Sequence, residues 1–203
     1  MLVKPTTKKG KEMSNEAKNK IPGFVSQRAF QKANQLYMKQ ERKDGKFVDP
    51  VSKEFVAAGQ EKGRKGEYLV MQMLQDMGYK VEMLSGTDEY DLRVKIKGTW
   101  HRVEVKTAAQ GRSCDNFIYS GIKTTHYDLL ATVFVGYDYT SVQISGTEGK
   151  RFIDVYGSNF CGSNWESRPT SKVICFNKFR THCKLRGTEA FFDMTKKNVE
   201  RLV

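Results

Sequence analysis

The chain has 203 residues, with 35 Lys and Arg against 23 Asp and Glu and a formal charge of +12. Hydrophobic residues make up 38%, which suits one core domain with modest additions, and so basic a balance favours a polyanionic partner, of which nucleic acid is the commonest. No apolar run approaches the ~20 residues of a membrane span, and no apolar stretch of signal length follows Met1-Leu2-Val3-Lys4-Pro5; no membrane partner is expected, and the expected location is the cytoplasm of a bacterium or a phage-infected host cell.

Residues 1–22 hold six lysines and two glutamates without an apolar period, the pattern of a disordered basic tail. Residues 23–58 read as an accessory basic helical segment. Ser26 is a good N-cap, and Phe30, Ala33 and Tyr37 then share a helical face. Arg28, Lys32, Lys39, Arg42 and Lys43 decorate the remainder, Asp44-Gly45 ends the helix, and Asp49-Pro50 marks a loop. Such a helix is either a solvated surface element or a DNA contact.

The core domain is expected over 59–160. Its clearest helix is 60–77, where Leu69, Val70, Met73, Leu74 and Met77 form an apolar stripe and Gly78 follows as a natural stop. Tyr79 to Leu84 alternates as a strand, and Ser85-Gly86-Thr87-Asp88 has turn chemistry. Two strands follow, about 90–97 and 100–107, joined by a tight hairpin at Lys97-Gly98-Thr99. Residues 110–121, rich in Gly and Ser, read as a loop. Leu130 to Val135 is almost continuously apolar, as in a strand buried on both faces. Val142–Ile144 and Phe152–Val155 read as further strands, and 157–170 as loop.

The C-terminal part, 161–203, combines a basic segment with a helix marked by Phe191, Met194, Val199 and Leu202. Val173–Phe176 is a short strand. Lys172, Lys178, Arg180, Lys184 and Arg186, interleaved with Phe176 and Phe179 and free of acids, suit contact with a phosphate backbone or a base, or form a solvated basic face. Helix, a run of mostly antiparallel strands, then helix points to an α+β or α/β core.

Cys114, Cys161, Cys175 and Cys183 contain no C-x-x-C pair and read as free thiols in a reducing compartment. Zinc held by Cys161, Cys175, His182 and Cys183 would match no common spacing. His101, His126 and His182 are scattered, and His126 reads as a structural or surface residue. Neither G-x-x-x-x-G-K-[ST] nor G-x-G-x-x-G occurs, so nucleotide binding has no motif behind it.

The chemistry gathers on the hairpin. Strand side chains alternate between faces. With Leu92, Val94, Ile96, Val103 and Val105 turned to the core, Asp91, Glu104 and Lys106 share the opposite face. Two carboxylates on neighbouring strands suit a hard cation such as Mg²⁺, which takes oxygen ligands and keeps several waters; the Val105 carbonyl is a further candidate oxygen. A divalent cation so held activates water at neutral pH, and Lys106 is placed to orient that water or steady the charge that grows on a phosphate. Glu67 flanks the apolar stripe of the preceding helix, from which a third carboxylate reaches the sheet edge.

The order of these parts is more specific than any one of them. Gly63-Arg64-Lys65-Gly66-Glu67, Gly78-Tyr79-Lys80-Val81, Tyr90-Asp91-Leu92 and Val103-Glu104-Val105-Lys106-Thr107 together resemble the PD-(D/E)XK nuclease superfamily, in particular its Holliday-junction-resolvase-like and intron-homing branches. Tyr90 stands where the nominal motif has proline, and the later Thr125-His126-Tyr127-Asp128-Leu129-Leu130 block is faintly similar to the homing type. The resemblance implies a restriction-endonuclease-like mixed β-sheet flanked by helices, and a metal-dependent endonuclease that hydrolyses DNA. It implies Glu67, Asp91, Glu104 and Lys106 as catalytic residues, with Mg²⁺, or Mn²⁺ in its place, on Asp91, Glu104, Glu67 and Val105. It leaves a homodimer open, since many members cut two strands as dimers. The rival expectation is a non-catalytic nucleic-acid-binding protein on a nuclease-like fold.

Overall fold

The computed structural model describes residues 24–25, 42–43, 46–48, 55–56, 60–84, 89–110, 116–136, 140–161, 167–177 and 190–203. Four short strands come first: β1 (Phe24–Val25), β2 (Arg42–Lys43), β3 (Lys46–Val48) and β4 (Phe55–Val56). Helix α1 (Glu61–Asp76) is followed by β5 (Lys80–Met83), β6 (Leu92–Ile96), β7 (Thr99–Ala109), β8 (Asn116–Ile122), β9 (Leu129–Val135) and β10 (Thr140–Ser145). Then come α2 (Thr147–Tyr156), β11 (Ser158–Cys161), β12 (Ser167–Asn177), β13 (Phe192–Asp193) and α3 (Lys196–Arg201).

The central sheet is mixed, in the order β1-β10-β9-β7-β6-β5, with β13 also on β10. Among the described residues only β7 and β9 pair in parallel; every other pair in this sheet is antiparallel. With its helices this is an α+β fold, as the sequence leads one to expect. The hairpin forms because Lys97 (φ 48°) and Gly98 (φ 87°) both take positive angles, the two-residue turn whose twist matches that of its strands.

The two faces of the sheet bury different clusters. Leu69, Val70 and Leu74 of α1 pack on Leu92, Val94, Val103 and Val105, with Val199 of α3 in the same cluster. On the other face Leu130 and Phe134 of β9 meet Phe117 and Tyr119 of β8, Phe152 and Ile153 of α2 and Ile174 of β12. Parallel strands need a crossover connection. The crossover from β7 to β9 carries β8, which with β12 and β11 builds a second, three-stranded sheet over that face.

Several expected elements differ. Phe152–Val155 is helical: Phe152 and Ile153 are buried while Asp154, Val155 and Tyr156 are exposed. Residues 116–121 of the expected Gly- and Ser-rich loop, with Ile122, form β8, and much of the expected loop at 157–170 is β11 and the start of β12. For β8 the pairing partner, β12, is distant in sequence, which rescues a segment with a weak local strand signal; β11 and the start of β12 pair with each other, antiparallel. Residues 26–41, most of the expected accessory helix, lie outside the described residues. Arg42 and Lys43, expected at its end, pair instead with Phe47 and Lys46, across Asp44-Gly45, a dipeptide suited to a two-residue hairpin. Among the described residues no helix is long and apolar enough to cross a membrane.

Candidate functional site

The parity of the hairpin places the charged residues. Leu92, Val94 and Val103 are fully buried against α1, and Val105 nearly so. Leu92 pairs with Val103, and the Asp91 amide donates to the Val103 carbonyl at 3.1 Å, which brings Asp91 beside Glu104. One carboxylate oxygen of Asp91 accepts the Val105 N–H at 2.7 Å. Glu104 is 8% exposed and binds the Lys106 ammonium at 2.5 Å. Asp91, Glu104 and Lys106 thus line one cleft of about 360 Å³, together with Glu89, Gly121, Lys123 and His126.

The opposite wall is set by the end of the crossover. Arg102 donates its backbone N–H and its guanidinium to Asp128, at 2.8 Å for each of the two shortest contacts, and Asp128 N–H returns to the Arg102 carbonyl at 2.9 Å. This clasp fixes residues 123–128 against β7 just before β9 begins. Lys123 and His126 thereby line the same cleft as the carboxylates, while Tyr127 is fully buried. Among the described residues the Tyr127 hydroxyl has no hydrogen-bond partner. Burial, then the nearby charges of Glu104 and Asp154, push its ionisation far upward, so it is a neutral phenol.

The electrostatics of the cleft are those of crowded carboxylates. Burial, and next the charge of Glu104, raise Asp91 to about 6, against the lowering influence of the Val105 N–H, Lys106 and Arg64. A carboxylate pair with only oxygen donors fits a hard divalent cation, which is usually held by one or two carboxylates plus substrate phosphates. Asp91 and Glu104 are the residues here that fit. Among the described residues no set of three His, Cys, Asp or Glu side chains is arranged to hold a metal ion.

Glu67, the remaining expected site residue, lies on α1. It is ion-paired with Arg64, one turn earlier on α1, and both side chains are largely buried. Arg64 also approaches the Leu84 carbonyl at 3.5 Å and acts on Asp91 through its charge. Arg64 of α1 thus bears electrostatically on Asp91, and Glu67 is not among the described residues lining the cleft. Helix and strand come this close because residue 66 is glycine: a Cβ there would lie 1.8 Å from Thr107 Oγ1.

Of the expected basic contacts, Lys172 lies on β12 in register with Ile122, next in sequence to Lys123 of the cleft. Lys178, Arg180, Lys184 and Arg186 lie outside the described residues, as do His182 and Cys183 of the weighed zinc set. Sequence reading missed Glu89, Gly121 and Lys123, and His126, expected as structural, lines the cleft. Only the faint similarity of 125–130 to homing-type nucleases pointed near them.

No model of a known protein family matches the chain, and no curated protein matches it. Among solved structures, a bacterial homing endonuclease is similar over 38% of this chain, at 16% identity and a TM-score of 0.36. The chain spans 63% of the length of that structure, and a likeness at this level says nothing of activity.

Proposed function

We propose that the protein is a metal-dependent endonuclease that hydrolyses DNA phosphodiesters. The observation that carries this reading is the convergence of Asp91, Glu104 and Lys106 in one cleft faced by Lys123 and His126. The carboxylates offer a metal seat, and Lys106, Lys123 and His126 offer groups for a phosphate beside it.

Asp91 and Glu104 are the residues that would hold Mg²⁺ or Mn²⁺, with the Val105 carbonyl as a further oxygen. The bound cation supplies Lewis-acid activation of water and phosphate. The chain's own residues do the rest. The Val105 N–H fixes the Asp91 carboxylate, and Lys106 fixes Glu104. Lys106 offers a preorganised positive charge to the oxygen on which negative charge grows. Lys123 and His126 hold the non-bridging phosphate oxygens from the other wall. Glu67 serves by orienting Arg64, which tempers the charge of the pair. Clustered carboxylates repel phosphate unless a cation offsets them, which disfavours the rival reading of a binding protein without catalysis.

The test is cleavage of linear, circular and four-way-junction DNA with Mg²⁺, with Mn²⁺ and with EDTA, by the native chain, Asp91→Asn and Glu104→Gln. Cleavage by the native chain alone, and only with metal, is expected. Full cleavage by either variant, or undiminished cleavage in EDTA, overturns the assignment.

A further inference from the structure

Among the described residues, the second layer covers only part of the sheet face that bears Glu104 and Lys106. Over β9 the second layer packs on Leu130 and Phe134. Over β5, β6 and β7 the same face carries charge. Directly opposed residues in an antiparallel pair share a face. Arg102 and Trp100 precede Glu104 on β7 at alternate positions, and Arg93 and Lys95 follow Asp91 on β6. Arg93 is opposite Arg102, Lys95 opposite Trp100, Lys80 opposite Lys95 and Glu82 opposite Arg93. Alternate residues along a strand are about 7 Å apart, so the charges form a shelf in steps leading away from the cleft.

Two features of this shelf are unfavourable for the protein alone. Arg93 faces Arg102 and Lys80 faces Lys95, and like charges directly opposed across strands are destabilising. Glu82 accepts from Arg93 at 2.7 Å and also pairs with Lys80 at 3.3 Å, and Asp128 binds Arg102, so among the described residues these two carboxylates are the ion-pair partners of three cations, and Lys95 is exposed. In the middle stands half-buried Trp100, with Lys80 Nζ 5.4 Å and Arg93 Cζ 4.9 Å from its ring centre. A surplus of cations around one aromatic ring is the combination that binds a nucleic-acid strand by its phosphates and stacks a base.

We propose that the open face of β5, β6 and β7 is a DNA-docking shelf that feeds the cleft, with Lys80, Arg93 and Lys95 meeting backbone phosphates and Trp100 stacking on a base. The inference rests on the reading of the cleft as a phosphodiester site. The clasp between Arg102 and Asp128 marks where shelf meets wall, so a strand lying on the shelf is led to Asp91 and Glu104.

The test measures binding without chemistry. Fluorescence anisotropy of a labelled duplex is followed with Ca²⁺ in place of Mg²⁺, an oxygen-ligated cation of looser geometry that offsets the carboxylates, across a range of salt concentrations, with the full chain and the Lys80→Ala/Lys95→Ala double variant. Both lysines are exposed, so the fold is retained, and a melting curve checks this. Each lost phosphate contact lowers the magnitude of the log–log salt slope by about 0.9 on duplex DNA; a fall of between one and two such steps is expected. In a Trp165→Phe background, emission from Trp100 should be quenched by DNA. An unchanged slope in the folded double variant overturns the shelf, as does the absence of DNA binding by the native chain, and unchanged emission removes Trp100 from the contact. If the native chain cuts DNA while the slope stays constant, the nuclease reading stands and the shelf fails. If nothing is cut but the slope falls, the shelf stands and the nuclease reading fails.

Discussion

The carboxylate of Asp91 accepts the backbone N–H of Val105 at 2.7 Å. This bond joins the start of β6 to the middle of β7, between the two residues, Glu104 and Lys106, that form the other half of the site. Asp91 thus positions the strand that carries its partners, and it pays for that position in solvation: burial and Glu104 raise it to about 6.

The raised value makes stability depend on pH. Between 3.8, its ordinary value, and about 6 the folded chain holds this proton more tightly than the unfolded chain does. The contribution is therefore fully present below the lower value and is lost as pH rises through the higher. Asp91→Asn keeps an oxygen for the Val105 N–H and removes the charge. In metal-free buffer near neutral pH the variant should be more stable than the native chain by on the order of 3 kcal/mol, at about 1.36 kcal/mol per unit over two units. The advantage should vanish near pH 4. Denaturant melts across this range check it, and parallel curves for the two proteins would remove the electrostatic account of Asp91.

Glu67 should prove a stability residue first. Its partner Arg64 is 7% exposed, and removing one member of a buried pair typically costs about 3–5 kcal/mol. Glu67→Ala should cost roughly 3 kcal/mol, whereas Arg64→Met/Glu67→Leu, which removes both charges, should recover most of it. A Glu67→Ala variant that melts like the native chain while failing to cleave would return Glu67 to the role of direct metal ligand.

How legible the site was in the sequence depends on the range of the contacts that build it. Asp91, Glu104 and Lys106 follow from period-two alternation across a two-residue turn, all within 91–106, and Leu92, Val94 and Val103 are buried as that alternation requires. Lys123 and His126 enter the cleft only because β7 and β9 pair in parallel, and no local pattern specifies that pairing. The Phe152–Val155 segment misled because four residues are too few to separate a period of two from one of 3.6. In β8, Phe117 and Tyr119 do alternate with exposed Ile118 and Ser120, but Gly121, at φ +70°, and the serine gave it the look of a loop. For Glu67 the helix and its face were legible, while its ion pair with Arg64, three residues away, was not read from the sequence.

Gly66 should tolerate no side chain. A Cβ would strike Thr107 Oγ1 at 1.8 Å and stand 3.1 Å from Thr107 Cβ. Overpacking of this kind typically costs about 1–3 kcal/mol, so Gly66→Ala should fall in that range. Because Thr107 follows Lys106, the variant should also cut more slowly at temperatures where it is folded. Gly66→Ala/Thr107→Ala removes the struck hydroxyl and should regain much of the loss. Failure of the second change to restore any stability would place the defect in α1 itself.

Lys106→Met separates catalysis from folding. Lys106 is partly exposed, it holds Glu104 at 2.5 Å, and its strand neighbours Val105 and Thr107 face the other way. Methionine keeps most of the stem and deletes the charge, so the core against α1 is untouched. If the ammonium steadies charge in the transition state, the single-turnover rate should fall by roughly 10²–10³, the scale for one preorganised electrostatic group. DNA affinity should change far less, because one phosphate contact among many is a small share of binding. A purely structural lysine would instead offset repulsion between Asp91 and Glu104: the melting temperature would drop in metal-free buffer, and cleavage would be nearly native once Mg²⁺ was saturating. Both quantities are measured on the same preparation. A lowered melting temperature with native cleavage would take Lys106 out of the reaction and leave Lys123 and His126 as the cations that face the phosphate.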